Sequence, residues 1–157
     1  MRQAMIRFTA LLLVTALAAC APAPGTERVP LASTGMIAQA NTLISVQRAG
    51  AGILRPLVHS PALQAAAQAH ADDMSATGGI SHTGSDGSSL TDRVNRAGYT
   101  ACFTAENVAQ GQTDTRSAIA AWTNSAAHQA NMVNPNASQF GFARAGNTWV
   151  LVLARPC

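Results

Sequence analysis

The chain contains no lysine; all 10 of its basic residues are arginine, set against 7 acidic ones. A Schiff-base mechanism and a Ser–Lys pair are thereby excluded. Aromatic residues make up only 4% of the 157 positions and charged residues 11%. The formal charge of +3 is small, and Arg2 and Arg7 supply part of it; without them the balance is 8 − 7 = +1. No basic stripe interleaved with aromatics is present, so no nucleic-acid partner is expected. Zinc-finger cysteine spacing, a phosphate-cradling Gly-rich loop, a Gly-x-Ser-x-Gly elbow and a His-Glu-x-x-His helix are all missing. What the chain does have is a 48% apolar composition rich in alanine. That suffices for a buried core, excludes wholesale disorder, and at this length implies one folded domain.

Residues 1–19 read as an export signal. Arg2 and Arg7 form a positive start, and Phe8 to Ala19 is an apolar run too short to span a bilayer, which takes about 20 residues. The run ends in Leu17-Ala18-Ala19-Cys20, which resembles a bacterial lipobox, with cleavage before Cys20 and lipidation of its thiol and new amine. An ordinary cleavage site at Ala19-Cys20-Ala21 is the alternative. Several acyl chains would anchor the protein stably at a membrane, where one alone would not. Residues 20–32 carry the lipidated Cys20 and a Pro-rich tether, and residues 33–157 form the domain. The expected location is the cell envelope on the non-cytoplasmic side. Ala21, rather than Asp, after the lipidated Cys favours the outer membrane where a cell has one.

Three cysteines are an odd number for an exported chain. With Cys20 assigned to lipid, Cys102 and Cys157 remain as a disulfide pair, in a compartment that permits one. Closing a loop of about 56 residues would contribute roughly 4 kcal/mol on the chain-entropy view. Two free thiols, or a catalytic Cys102, are the alternatives.

Helical spacing predicts a first helix over Gly35–Ala49. Ser60 and Pro61 open a second, whose stripe of Leu63, Ala66, Ala67, His70, Ala71 and Met74 is mostly small, and Gly78-Gly79 ends it. The stretch Ile80–Ser89 is a polar loop, and Ser89 caps a short helix Leu90–Ala97. Phe103–Gln110 is an ambiguous strand, followed by helices Thr115–Asn124 and Ala126–Val133. A hairpin closes the chain, Gln139–Ala143 and Thr148–Leu153 about a turn at Ala145-Gly146-Asn147. Helices first and strands last indicate an α+β class rather than an alternating parallel sheet.

Few residues remain to carry chemistry. Glu106 is the only Glu after the tether and stands in an apolar stretch, where an unpaired carboxylate would be costly. His82 lies in the polar loop, and His128 is the third residue of its helix, where the dipole disfavours imidazolium. Together they could coordinate Zn²⁺ or Mg²⁺ with a position left open for water, or be three unrelated residues. His70 reads as a hydrogen-bonded core residue and His59 as a surface one. Asp86-Gly87 is turn chemistry, a calcium role for Asp86 and Asp92 is a weak alternative, and Asp72-Asp73 is a solvated helix face.

Set in order, these residues form a pattern. It runs Leu63-x-x-x-Ala67-x-x-His70-Ala71-x-Asp73-Met74, Ser81-His82-x-Gly84-x-Asp86-Gly87-x-Ser89, Arg93, Gly98-Tyr99 and Glu106-Asn107-Val108-Ala109-x-Gly111. It continues with Trp122-x-Asn124-Ser125-x-x-His128-x-x-Asn131-Met132 and Phe140-Gly141-Phe142-Ala143. The whole resembles a bacterial-type CAP (SCP) domain, of the cysteine-rich secretory protein, antigen 5 and pathogenesis-related 1 superfamily, over about Met36 to Leu153. The resemblance implies an α-β-α sandwich: a small antiparallel sheet between helices, with Phe103–Gln110 as a central strand and a cleft on one side. Many members hold two His and two acidic residues in that cleft, where divalent metal binds. His82 matches the first His and Glu106 the first Glu, while Ser125 stands where eukaryotic members carry Glu. The Gly-His-Phe-Thr-Gln motif is missing, and His128 comes from the bacterial Asn-Ser-x-x-His segment. The implied function is a binding or interaction module for metal, lipid or a cell-wall ligand. A metal-assisted hydrolase with Glu106 as base, or a structural envelope protein, are the alternatives.

Overall fold

A computed structural model describes the backbone of residues 31–157, with side chains from Thr34 onward. The expected export signal, Cys20 and most of the expected tether lie outside the described residues. Helix α1 (Leu31–Gly50) begins four residues before the expected Gly35. Then follow β1 (Val58–His59), α2 (Pro61–Thr77), α3 (Leu90–Arg96), β2 (Ala101–Gln110), α4 (Thr115–Thr123), α5 (Ala126–Met132), β3 (Gln139–Ala145) and β4 (Thr148–Pro156). Among the described residues no helix is long and apolar enough to cross a membrane.

Local chemistry sets most boundaries. Ser60 accepts from the Leu63 amide with Pro61 behind it, and Gly78 ends α2 in the left-handed region at φ 73°. Ser89 and Asp92 make a reciprocal capping box on α3, and Asp114 and Ser117 make one on α4. Ser125 stands at the N-cap of α5 as expected, but its side chain makes no capping bond. The β3–β4 hairpin turns through Gly146 at φ 57°, a conformation that only glycine adopts cheaply.

The sheet order is β1-β3-β4-β2, antiparallel except for β1, which pairs parallel to β3 through Val58 and His59. Sequence reading placed that segment in a connection and His59 at the surface. In the structure His59 is half-buried, edge-on to the Phe140 ring at 5.7 Å. Alternation along β4 then builds two cores. Trp149, Leu151 and Leu153 face α1 and α4 with Ile44, Trp122 and Phe142, while Val150, Val152 and Ala154 face α2 and α3 with Leu63, Ala67 and Val94. The result is an α-β-α sandwich of α+β class, although β2 is an edge strand and not a central one.

Three details position the rest. Gly141 lets the backbone of α2 at Leu63 and Gln64 lie directly on β3. Side chains finish the sheet's hydrogen bonding where strands run out. Trp122 and Asn131 donate to the outward carbonyls of Val108 and Glu106 on β2, and Gln64 Oε1 accepts the Phe142 amide on β3, past the end of β1. Cys102 and Cys157 form the expected disulfide, tying the start of β2 to the last residue.

Candidate functional site

Glu106 lies on the β2 face turned toward α2 and α3, and its side chain is 2% exposed. Its burial is compensated on both oxygens. Oε1 accepts from His82 Nδ1 at 2.9 Å, and Oε2 accepts from Arg93 Nη2 at 2.8 Å. His70 Nε2 comes within 3.8 Å of Oε1, but its proton goes to the Ser81 carbonyl at 2.8 Å. His70 is therefore the core residue its place on α2 suggested, fully buried and clamping the start of the loop that carries His82.

Arg93 is the residue that sequence reasoning gave no role. It is buried, and besides Glu106 it donates to the carbonyls of Ser88 and His82, stitching the loop onto α3. A signal existed: Arg93 stands three positions after Leu90 and beside Val94, on the inward side of a short helix. Asp73 also does more than solvate a helix face. Its carboxylate accepts both the amide and the hydroxyl of Ser85, fixing the far end of the same loop. These bonds hold its carboxyl below the usual range. Asp86 accepts from the Ser88 amide and pairs with Arg96, and Asp92 serves the α3 cap. These local bonds account for both residues without calcium.

The consequence for His82 is chemical. Its side chain is 60% exposed, yet Nδ1 is committed to a buried carboxylate. A carboxylate only accepts, so Nδ1 carries a proton, and in the neutral form of the ring Nε2 presents a lone pair to solvent. Such an oriented imidazole can accept a hydrogen bond, take a proton or ligate a cation.

His128 sits on α5 beyond the outer edge of β2. Its carbonyl accepts from Asn107, whose Oδ1 in turn accepts from Asn131. Successive β2 residues point to opposite faces, so Glu106 and Asn107 grip the two sides of this edge. Burial first, and the charge of His82 second, push the His128 imidazole below its ordinary 6.5. Burial, rather than the helix dipole expected from its place on α5, leads this shift. A neutral ring favoured in the folded state means that the unfolded chain binds the proton more readily below 6.5. Stability is thus expected to decline as pH falls through that value. His128→Gln should flatten this part of the profile, measured by urea unfolding at about pH 7.5 and about pH 5. An unchanged slope would show the ring to be solvated.

The structure therefore joins His82 to Glu106 and brings His128 into electrostatic range of His82, with no hydrogen bond from His128's ring to either. Among the described residues no group of three or more His, Cys, Asp or Glu side chains is arranged to hold a metal ion. The donor chemistry agrees. Glu106 has a guanidinium on one oxygen and an imidazole N–H on the other, so a cation there would have to displace His82 and sit beside Arg93. The arrangement does not fit a Zn²⁺ or Mg²⁺ ion shared by His82, Glu106 and His128, and Glu106 as a free general base meets the same obstacle.

The profile of the cysteine-rich secretory protein family, CAP, matches residues 42–152. The protein YkwD of Bacillus subtilis is 30% identical over 98 residues, covering 61% of this chain and 38% of its own length. The chain thus spans less than two-fifths of that relative. An extracellular SCP-domain protein from Bacillus anthracis superposes with a TM-score of 0.74 at 24% identity, over 78% of this chain and 41% of that one. An outer surface protein of Borrelia burgdorferi superposes with a TM-score of 0.71 at 19% identity, over 80% of this chain and 96% of its own. Likenesses at these identities establish the fold.

Proposed function

Because the chain belongs to the cysteine-rich secretory protein family, we propose that it is an envelope lipoprotein, anchored through Cys20, whose domain is a binding module presenting His82 to its ligand. The supporting observation is the 2.9 Å bond from His82 Nδ1 to a carboxylate that Arg93 holds in place from the other side. A buried ion pair is a costly support for an exposed ring, and a purely structural histidine has no need of it. The location is supported by similarity to an extracellular protein and an outer surface protein. Binding is favoured over hydrolysis because Glu106 is occupied and, among the described residues, the His82 ring hydrogen-bonds Glu106 and no Ser hydroxyl or Cys thiol.

The ligand class is a cell-wall component. Full-length protein should pellet with membranes, and Cys20→Ser should release it to the soluble fraction. The released chain should co-sediment with purified peptidoglycan, and His82→Ala should weaken that retention about tenfold or more, roughly 1.4 kcal/mol. Retention indifferent to His82, or absent altogether, would overturn the binding reading. An acyl chain is the second reading, favoured by the groove between α1 and α4, where Leu43, Val46 and Ile119 line about 210 Å³ and Val46 is 63% exposed. Phospholipid vesicles in the same experiment separate it, since Val46→Asp would then matter and His82→Ala would not.

A further inference from the structure

We propose that the Cys102–Cys157 disulfide is a redox switch at one end of the sheet: a protein dithiol opens it in the folded domain, and opening releases the first residues of β2 from the end of β4. Both cysteines are exposed. Neither belongs to the core on either face of the sheet. A local irregularity puts them there. Ala101 lies opposite Pro156 and Phe103 opposite Arg155, so Cys102 is one residue too many for its partner strand. Such a bulge leaves its extra residue outside the ladder and re-aims its side chain. The flanking residues show the change of face. Ala101 packs with the core under α2 and α3, and Phe103 with the core under α1 and α4, whereas residues two apart on a regular strand share a face. Cys102 is thereby turned toward solvent and Cys157.

Exchange requires that a thiolate reach a disulfide sulfur, and exposed bridges are the labile ones. Little else holds this end. Arg155 and Pro156 are exposed, Pro156 has no N–H to give the ladder, and the Cys157 amide donates to the Thr100 carbonyl at 3.2 Å. Deeper in, the sheet is secure. The pairs Thr104–Ala154 and Ala105–Leu153 stand between the bridge and Glu106, and Leu153 and Ala154 are fully buried. Separation therefore stops short of Glu106, and the contacts of His82 and Arg93 stay as they are. Weakly packed ends open in this way without global unfolding.

The co-reactant is a protein dithiol of the Cys-x-x-Cys class. Its thiolate attacks one sulfur of the bridge, the S–S bond breaks, and the other cysteine leaves as a thiolate that takes a proton. The reductant's second thiol then attacks the mixed disulfide and releases the first cysteine, which is protonated in turn. Two electrons and two protons pass to Cys102 and Cys157, and the dithiol becomes a disulfide. In the oxidised form the start of β2 is closed against β4. In the reduced form Ala101–Phe103 offers unpaired backbone groups, and the Phe103 side chain, to a neighbouring strand.

The test uses full-length ¹⁵N-labelled protein in detergent, with dithiothreitol as the probe. New thiols are trapped with iodoacetamide and assigned to Cys102 and Cys157 by peptide mass spectrometry, so Cys20 does not interfere. Reduction in native buffer should run within about a hundredfold of the rate in unfolding urea. A slower native rate would show that attack waits for unfolding and would overturn the proposal. In the reduced protein the Ala101–Phe103 amides should exchange with solvent at least about tenfold faster, while the His82, Arg93 and Glu106 amides keep their positions. Glutathione disulfide should restore the original spectrum. The double variant Cys102→Ser, Cys157→Ser should show the reduced spectrum whatever reductant or oxidant is added. Unchanged exchange at Ala101–Phe103, or loss of the folded spectrum on reduction, would equally overturn the switch.

Discussion

Gly141→Ala is expected to destabilise the domain by about 3 kcal/mol or more, at the upper end of what overpacking costs. A Cβ at this position would lie well inside 3.0 Å of the Leu63 carbonyl carbon and oxygen and of the Gln64 amide nitrogen. All three are backbone atoms of α2, so no rotamer change relieves the clash; the helix must lift off the sheet. An opposing effect exists. Alanine restricts the unfolded chain and usually stabilises by about 0.4–1 kcal/mol where it fits. The steric term is several times larger and decides the sign. Gly35→Ala in α1 is the control, because its added Cβ meets nothing within 4 Å, and it should stabilise by about 0.5–1 kcal/mol. Urea unfolding of both variants tests the pair. A Gly141→Ala protein as stable as the parent would mean that α2 and β3 do not lie in the contact described.

The second large effect concerns Arg93. Arg93→Met leaves Glu106 buried with only His82 on its carboxylate, and removing one partner of a buried pair costs about 3–5 kcal/mol. A fall in Tm of roughly 10 °C or more should follow. The double variant Arg93→Met, Glu106→Leu should recover much of the loss, since no uncompensated charge remains. Calorimetry on the two single variants and the double closes the cycle. Purely additive losses would show that the residues are not coupled through their 2.8 Å bond.

Where the sequence was legible, the cause was local. Ser60-Pro61, Ser89 and the Gly146 turn announce themselves within a few residues, because caps and tight turns are decided by adjacent backbone groups. Strand β1 gave no such sign: two residues, Val58 and His59, earn their pairing only from β3, some 80 positions later. Glu106 stood out as a lone carboxylate in an apolar stretch, and the pattern shared with CAP domains connected it to His82 in the polar loop. What that pattern did not reveal was how Glu106 is spent. The guanidinium that claims it sits on a seven-residue helix, and its burial depends on the fold of the preceding loop onto α3. Arg48 escaped notice for the same reason. It ends α1 as an ordinary basic residue would, yet it is 1% exposed and donates to the carbonyls of Met132, Asn134 and Ala137, holding down the end of the helix that carries His128.

The bonds from Trp122, Asn131 and Gln64 to the outer strands have a bearing on life at high density. A bare strand margin is a template on which a neighbouring chain zippers, and proteins crowded together on a surface meet such margins often. Here the carbonyls of Glu106 and Val108 on one side, and the amide of Phe142 on the other, are already taken by side chains of the same molecule. Copies that collide find little ladder to extend along these stretches. Asn131 and Gln64 thereby guard the solubility of the population as much as the shape of any one chain.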